Sequence, residues 1–120
     1  MSEGGLAVAA AEMAFAGGLG VRADVTACPH QLEGVEASQR TTALLFAESN
    51  TRLLCEVPVA QQKAFESLLQ EHSVAFADIG VVEDTGQVIL QSPKEDGSMH
   101  DLVTLPIGQL KEAWQAPLRW

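Results

Sequence analysis

Residues 4–16 read Gly4-Gly5-Leu6-Ala7-Val8-Ala9-Ala10-Ala11-Glu12-Met13-Ala14-Phe15-Ala16, and this run decides the fold. Leu6, Ala10, Met13 and Ala14 recur at helical spacing with Ala9 beside them, which predicts a first helix with a small-residue face. Alanine on a buried face lets a helix lie close against a sheet. Ser2 stands where an N-cap belongs, and Gly17-Gly18 offer a left-handed exit at the other end.

The strands that such a helix needs follow it. Val21-Arg22-Ala23-Asp24-Val25 alternates as a strand. Residues 26–38, with Pro29, Gly34 and scattered acids, read as a surface loop. A short helix is expected over 41–47, burying Ala43, Leu44 and Leu45. Arg52 to Val57 is strand-like and stops at Pro58, which makes Cys55 a core residue. An amphipathic helix over 60–71 carries Phe65, Leu68 and Leu69 on one side. The remainder predicts an antiparallel meander over 75–82, 87–91 and 99–105, with turns at Glu83–Gly86 and Lys94–Ser98. Pro106 suits the first position of a closing helix, residues 107–114, with Leu110 and Trp114 inward. Trp120 at the terminus is candidate interface material. Helices and strands mix without strict alternation, so the pattern predicts an α+β sandwich with a mixed, largely antiparallel sheet rather than a doubly wound parallel one.

The chain has 120 residues, enough for one domain, and is 47% hydrophobic and 19% charged, which argues against disorder. Sixteen acids against seven bases give a net charge of −9. Such a surface repels phosphate backbones and excludes a nucleic-acid binder, while leaving room for a small phosphorylated ligand at one local site. The longest apolar run, Leu6 to Ala11, is too short to span a bilayer, and no leader pattern opens the chain. A cytoplasmic protein without membrane contact is expected. Cys28 and Cys55 have no metal-ligand spacing, and His30, His72 and His100 are dispersed. No Ser/His/Asp, Cys/His or zinc arrangement exists, so no catalytic and no metal residue is assigned.

Two constellations remain. Ser2-Glu3-Gly4-Gly5-Leu6 forms the mouth of the first helix, where unpaired N–H groups and glycines admit a phosphate; an ordinary tight helix start fits the same residues. The run lacks the lysine of a Walker loop and the third glycine of a dinucleotide fingerprint. Phe46-Ala47-Glu48-Ser49-Asn50-Thr51-Arg52 joins a helix to a strand. Glu48, Ser49, Asn50 and Arg52 there suit either a polar ligand or a capped loop with a Glu48–Arg52 pair.

The run from Ser2 to Met13 resembles the "D-x-S-[DE]-G-G-L-A-x-A-x-A-E" segment that opens the C-terminal aminoimidazole-ribotide-synthetase-like domain of phosphoribosylformylglycinamidine synthases. Gly18-Leu19-Gly20-Val21 with Asp24-Val25 continues the likeness. Leu45 to Arg52 is similar to that family's "L-F-x-E-S-x-x-R" run, and Leu105 to Trp114 to its usual close. The resemblance covers nearly the whole chain except residues 26–38.

It implies an α/β domain partly like the ferredoxin arrangement. The implied enzyme is a ligase that amidates formylglycinamide ribonucleotide with ATP, magnesium and glutamine-derived ammonia. Barrel domains of the same enzyme and a glutaminase are the implied partners. On this likeness Ser2, Gly4 and Gly5 become phosphate-cleft candidates, and Glu48, Ser49, Asn50 and Arg52 ligand or interface candidates. The barrel half is missing and Met1 replaces the residues before the motif, so a domain fragment is expected, inactive alone and holding ATP and magnesium without tight affinity. Asn50 replaces the glutamine of the family's first tandem copy, and the chain closes as the second copy does, whose cleft resembles an auxiliary nucleotide site. Two alternatives stand beside this reading. One is a domain of a relative acting on selenide, thiamine phosphate or hydrogenase maturation. The other is a stand-alone interaction domain that dimerises.

Overall fold

Two left-handed glycines bracket the first helix. α1 spans Gly5–Gly17, with Gly4 (φ 73°) before it and Gly18 (φ 75°) after it, where the Gly18 N–H returns to the Ala14 carbonyl. The computed structural model describes residues 3–119, so the expected Ser2 cap and the Trp120 contact lie outside the described residues. Leu6, Ala10 and Ala14 are buried as the pattern requires. Met13 is 40% exposed instead, because the buried arc turns toward Ala7 and leaves Met13 at its rim.

β1 (Gly20–Asp24) leads into a 3-10 turn, Val25–Ala27, in which the Asp24 carboxylate accepts the Thr26 N–H at 2.8 Å. α2 (Ala37–Phe46) begins four residues before the predicted 41, inside what the sequence reads as loop, and buries Leu44 and Leu45. A 3-10 turn, Val59–Gln61, precedes α3 (Gln62–Glu71). β2 (Gly80–Glu83), β3 (Gln87–Pro93), β4 (Met99–Pro106) and α4 (Ile107–Gln115) complete the order.

The sheet runs β2-β1-β3-β4, with β1 antiparallel to β2 and parallel to β3, and β3 antiparallel to β4. The architecture is therefore α+β with a mixed sheet. The expected meander is corrected at two points. Its first strand, expected over 75–82, starts only at Gly80, and residues 75–79 join no strand. β2 and β3 run antiparallel but do not pair, because β1 lies between them. Their connection crosses the start of β1, and Gly20 makes the crossing feasible. A Cβ on Gly20 would lie 2.6 Å from the Gln87 carbonyl oxygen and would also strike the Thr85 hydroxyl. Only the β3–β4 hairpin of the two expected late hairpins forms.

Val88 and Leu90 on β3 and Ala23 on β1 turn toward the helices and join Leu6, Val25 and Leu44 in one core. α1 packs on this face between α2 and α4. Complete burial of Leu6, Leu90, Val25 and Val88 contributes roughly 1.5–3 kcal/mol each. The alternate residue Arg22 points to the other face and pairs with Glu83 at 3.1 Å.

Residues 53–57 depart most from expectation. The strand expected over 52–57 does not form, and the segment joins no sheet. None of these five residues makes a hydrogen bond within the described residues. Thr51, left-handed at φ 63°, turns the chain away from α2, and Pro58 closes the run. Cys55 is consequently exposed, which corrects its assignment to the core. α3 buries no residue; Leu68 is 50% exposed, and the helix is tied down by Gln62, whose side-chain amide donates to Asp78 at 3.1 Å. With this unpaired segment and α3 the molecule is less compact than its length requires: the radius of gyration is 15.1 Å, against about 13.6 Å for a compact chain of this length.

Candidate functional site

The two sequence runs singled out above meet. α1 starts where α2 ends, so the partial positive charge of one helix N-terminus faces the partial negative C-terminus of another. Gly5, at φ 70°, is buried in that junction. A Cβ there would sit 2.7 Å from the Phe46 carbonyl carbon and 2.8 Å from the Leu45 oxygen, so only glycine permits the approach. The Gly4 N–H donates to Glu48 Oε1 at 2.8 Å. Glu48 thus does from 44 residues away what the N3 carboxylate of a capping box does locally.

The remaining predicted residues separate from this contact. Ser49 and Asn50 are exposed in the turn after α2, where the Thr51 hydroxyl donates to the Asn50 carbonyl at 2.6 Å. Arg52 is half-buried and its guanidinium donates to the Cys28 sulfur. The alternative Glu48–Arg52 pairing is therefore replaced by two contacts: Glu48 reaches the α1 mouth, and Arg52 reaches the loop after β1. Ser2 lies outside the described residues.

The Arg52–Cys28 contact was not anticipated. No spacing rule links residues 24 apart when a loop and a helix intervene, and Cys28 has no metal-site neighbours to draw attention to it. His30, Gln31, Ser49 and Arg52 line a cavity of about 500 Å³ beside this contact. A second cavity, about 300 Å³, lies between α1, α4 and the sheet and is walled by Phe15, Phe46, Leu90 and Trp114. The Phe15 and Trp114 rings meet there at 5.8 Å, and the Trp114 indole N–H donates to Glu12 at 3.1 Å. Trp114 is thereby half-exposed at the rim of the helix layer rather than inward, a correction to its expected place.

The Asp96 carboxyl, in the β3–β4 turn, is held below the ordinary carboxylate range because the Ser98 hydroxyl and N–H both donate to it. Among the described residues no group of three or more His, Cys, Asp or Glu side chains is placed to hold a metal. No helix of the described residues is long and apolar enough to cross a membrane.

Comparison with known proteins agrees with this geometry. The profile of the family described as "AIR synthase related protein, C-terminal domain" matches residues 1–92. The phosphoribosylformylglycinamidine synthase subunit PurL of Deinococcus radiodurans is 36% identical over 118 residues, covering 98% of this chain and 14% of that protein. The PurL subunit of a Synechocystis species is 35% identical with the same coverage, and that of Cutibacterium acnes is 30% identical over 98% of this chain. The chain spans about one seventh of the length of these relatives, 14% and 13%. No solved structure matches it. With a mixed α+β sheet, a glycine-led first helix docked on the Glu48 turn, and the profile running through both, the chain belongs to the family of AIR synthase related C-terminal domains.

Proposed function

We propose that this chain serves as the C-terminal synthetase-type domain of a phosphoribosylformylglycinamidine synthase. That ligase converts formylglycinamide ribonucleotide and glutamine-derived ammonia to formylglycinamidine ribonucleotide, with ATP, in cytoplasmic purine biosynthesis. The observation that carries the reading is the Gly4–Glu48 hydrogen bond, which joins the two runs whose likeness to that enzyme is greatest. The relatives named PurL, aligned over 98% of the chain, support it.

In this reading barrel domains of the same enzyme pair with the chain, and a glutaminase supplies ammonia. Ser2, Gly4 and Gly5 lie on the phosphate side of the cleft, and Glu48, Ser49, Asn50 and Arg52 contact ligand or the neighbouring domain. The described residues do not by themselves fit ATP and magnesium. The Gly4 N–H is already held by a carboxylate that repels phosphate, Gly5 is enclosed by α2, and no acidic cluster is assembled. No chemical step is therefore assigned to this chain, and the cofactors belong to the complete enzyme.

The test has two arms. The purified chain alone yields no ATP-dependent amidation. Substituted for the C-terminal seventh of the Deinococcus radiodurans subunit, it restores formylglycinamidine ribonucleotide formation. Turnover by the isolated chain, or a folded but inactive chimaera, overturns the reading.

A further inference from the structure

The cavity between α1, α4 and the sheet owes its room to small residues and its character to aromatic ones. Ala7 and Ala11 stand on one flank of α1, a helical turn apart, and leave open the space that larger side chains there would fill. The chain has four Phe, two Trp and no Tyr, and three of these six rings, Phe15, Phe46 and Trp114, wall this cavity. Phe46 is 51% and Trp114 50% exposed, so two large rings are left open to water at the same place. The indole is nonetheless held: it meets the Phe15 ring at 5.8 Å with the planes at 48°, and its N–H donates to Glu12 Oε1 at 3.1 Å. Glu12 is the only charged residue lining the cavity. Among the described residues its carboxylate forms no ion pair, and the indole is its one hydrogen-bond partner. A cation is attracted by that carboxylate and by the ring faces alike, whereas an anion is repelled by both. The volume, about 300 Å³, lies at the lower end of small-molecule sites. An apolar cavity of roughly 150 Å³ is already enough to accept benzene.

The geometry points to a binding site for a small organic ammonium ion, a charged amine on a short apolar body such as a phenylethyl group. The apolar body lies against Leu90 and Leu105 of the sheet, in the space that Ala7 and Ala11 leave. The ammonium lies at the rim beside Glu12 and the Trp114 ring, where Glu12 Oε2 accepts its N–H while Oε1 keeps the indole. The net charge of −9 favours the same sign of ligand at longer range. The site takes none of the residues assigned to ligand or interface under the ligase reading and does not rest on it.

The test is a titration of the isotope-labelled chain at fixed ionic strength, followed by amide shifts and the Trp114 indole N–H signal. The probes are phenethylammonium, neutral 2-phenylethanol and anionic 3-phenylpropionate, which share an apolar body and differ in charge. Phenethylammonium produces saturable shifts centred on Ala11, Leu90, Leu105 and the Trp114 indole, and binds about tenfold more tightly than 3-phenylpropionate. Glu12→Gln, on an exposed side chain, weakens phenethylammonium by roughly threefold or more and leaves 2-phenylethanol unchanged. Ala11→Leu fills the cavity and abolishes saturation by all three; if that variant does not fold, Glu12→Gln decides alone. The proposal is overturned if phenethylammonium does not saturate, if 3-phenylpropionate or 2-phenylethanol binds as tightly, if Glu12→Gln binds the amine as the parent does, or if a folded Ala11→Leu still saturates. It is equally overturned if the shifts centre on Gly4–Leu6 or on Ser49–Arg52. None of these results touches the chimaera test, and an inactive chimaera leaves this site standing.

Discussion

Replacing Gly5 by alanine isolates what the glycine pair does, because the two glycines at the other end of α1, Gly17 within it and Gly18 just after it, act as internal references. Gly17→Ala adds a Cβ in open space with no left-handed backbone to strain. It is expected to be neutral or stabilising by up to about 1 kcal/mol. Gly18→Ala also meets open space, but at φ 75°. It carries the conformational penalty alone, roughly 1–2 kcal/mol. Gly5→Ala carries the same penalty at φ 70° and drives a Cβ to 2.7 Å from the Phe46 backbone. Backbone cannot rotate away as a side chain can, so α1 and α2 must part. Overpacking of this kind costs about 1–3 kcal/mol. The two terms sum to roughly 2–5 kcal/mol, a large share of the 5–15 kcal/mol that holds a domain together. With a urea slope of about 2 kcal/mol/M, the denaturation midpoint falls by ~1–2.5 M for Gly5→Ala. For Gly18→Ala it falls by ~0.5–1 M. Equal midpoints for Gly5→Ala and Gly18→Ala would refute the close approach of α1 to α2.

Other expectations follow from the same contacts. Glu48→Ala removes the acceptor of the Gly4 N–H and lowers stability by about 0.5–2 kcal/mol in urea unfolding, while Glu48→Gln, which keeps an acceptor oxygen, loses less; equal losses would count against the hydrogen bond. In the native protein a thiol reagent titrates exposed Cys55 quickly and buried Cys28 only after denaturant is added; simultaneous reaction would contradict the assigned burial. Hydrogen exchange shows no protection at amides 53–57 and strong protection in β3; slow exchange at 53–57 would mean that this segment is paired. Because the folded Asp96 carboxyl lies below its unfolded value, its contribution is present above the unfolded value and lost as pH falls through the folded one. Acid therefore loosens the β3–β4 turn in the parent, and Asp96→Ala loosens it at neutral pH as well, read as faster exchange at Ser98.

Legibility tracked sequence separation. The positions of α1, α4 and the β3–β4 hairpin are legible because their signals sit in consecutive residues: an alanine-rich period, a proline before a helix, a charged glycine turn; the rims of the two helices, Met13 and Trp114, are not. The place of β1 between β2 and β3 rests on pairs such as Val21 with Val82, about sixty residues apart, which no local pattern encodes. Gly20 carries the trace of it, but a glycine at a strand start has many explanations until the crossing connection is seen. Cys55 failed for a related reason. The strand propensity of residues 52–57 forms no strand, because pairing and burial depend on a partner strand that the fold does not supply. Both halves of the candidate site were visible as motifs, but the division of labour within the second was not. Only the docking of α1 shows that Glu48 turns to Gly4 while Ser49 stays exposed.

That division changes what the glycine pair implies chemically. A glycine-led helix start suggests a phosphate cradle because backbone N–H groups and helix dipole act together on an anion. Here an anion already serves the Gly4 N–H, and it belongs to the protein. A phosphate approaching the same amide meets the Glu48 charge within a few ångströms, where like-charge repulsion opposes the dipole's attraction rather than adding to it. Binding at the mouth then requires the carboxylate to swing aside or to be bridged by a cation. Either route makes affinity depend on Glu48 with a sign opposite to that of an ordinary ligand contact: removing the charge favours a phosphate at Gly4 even as it weakens the helix junction. Stability and anion affinity at this mouth are thus coupled through one side chain and move in opposite directions.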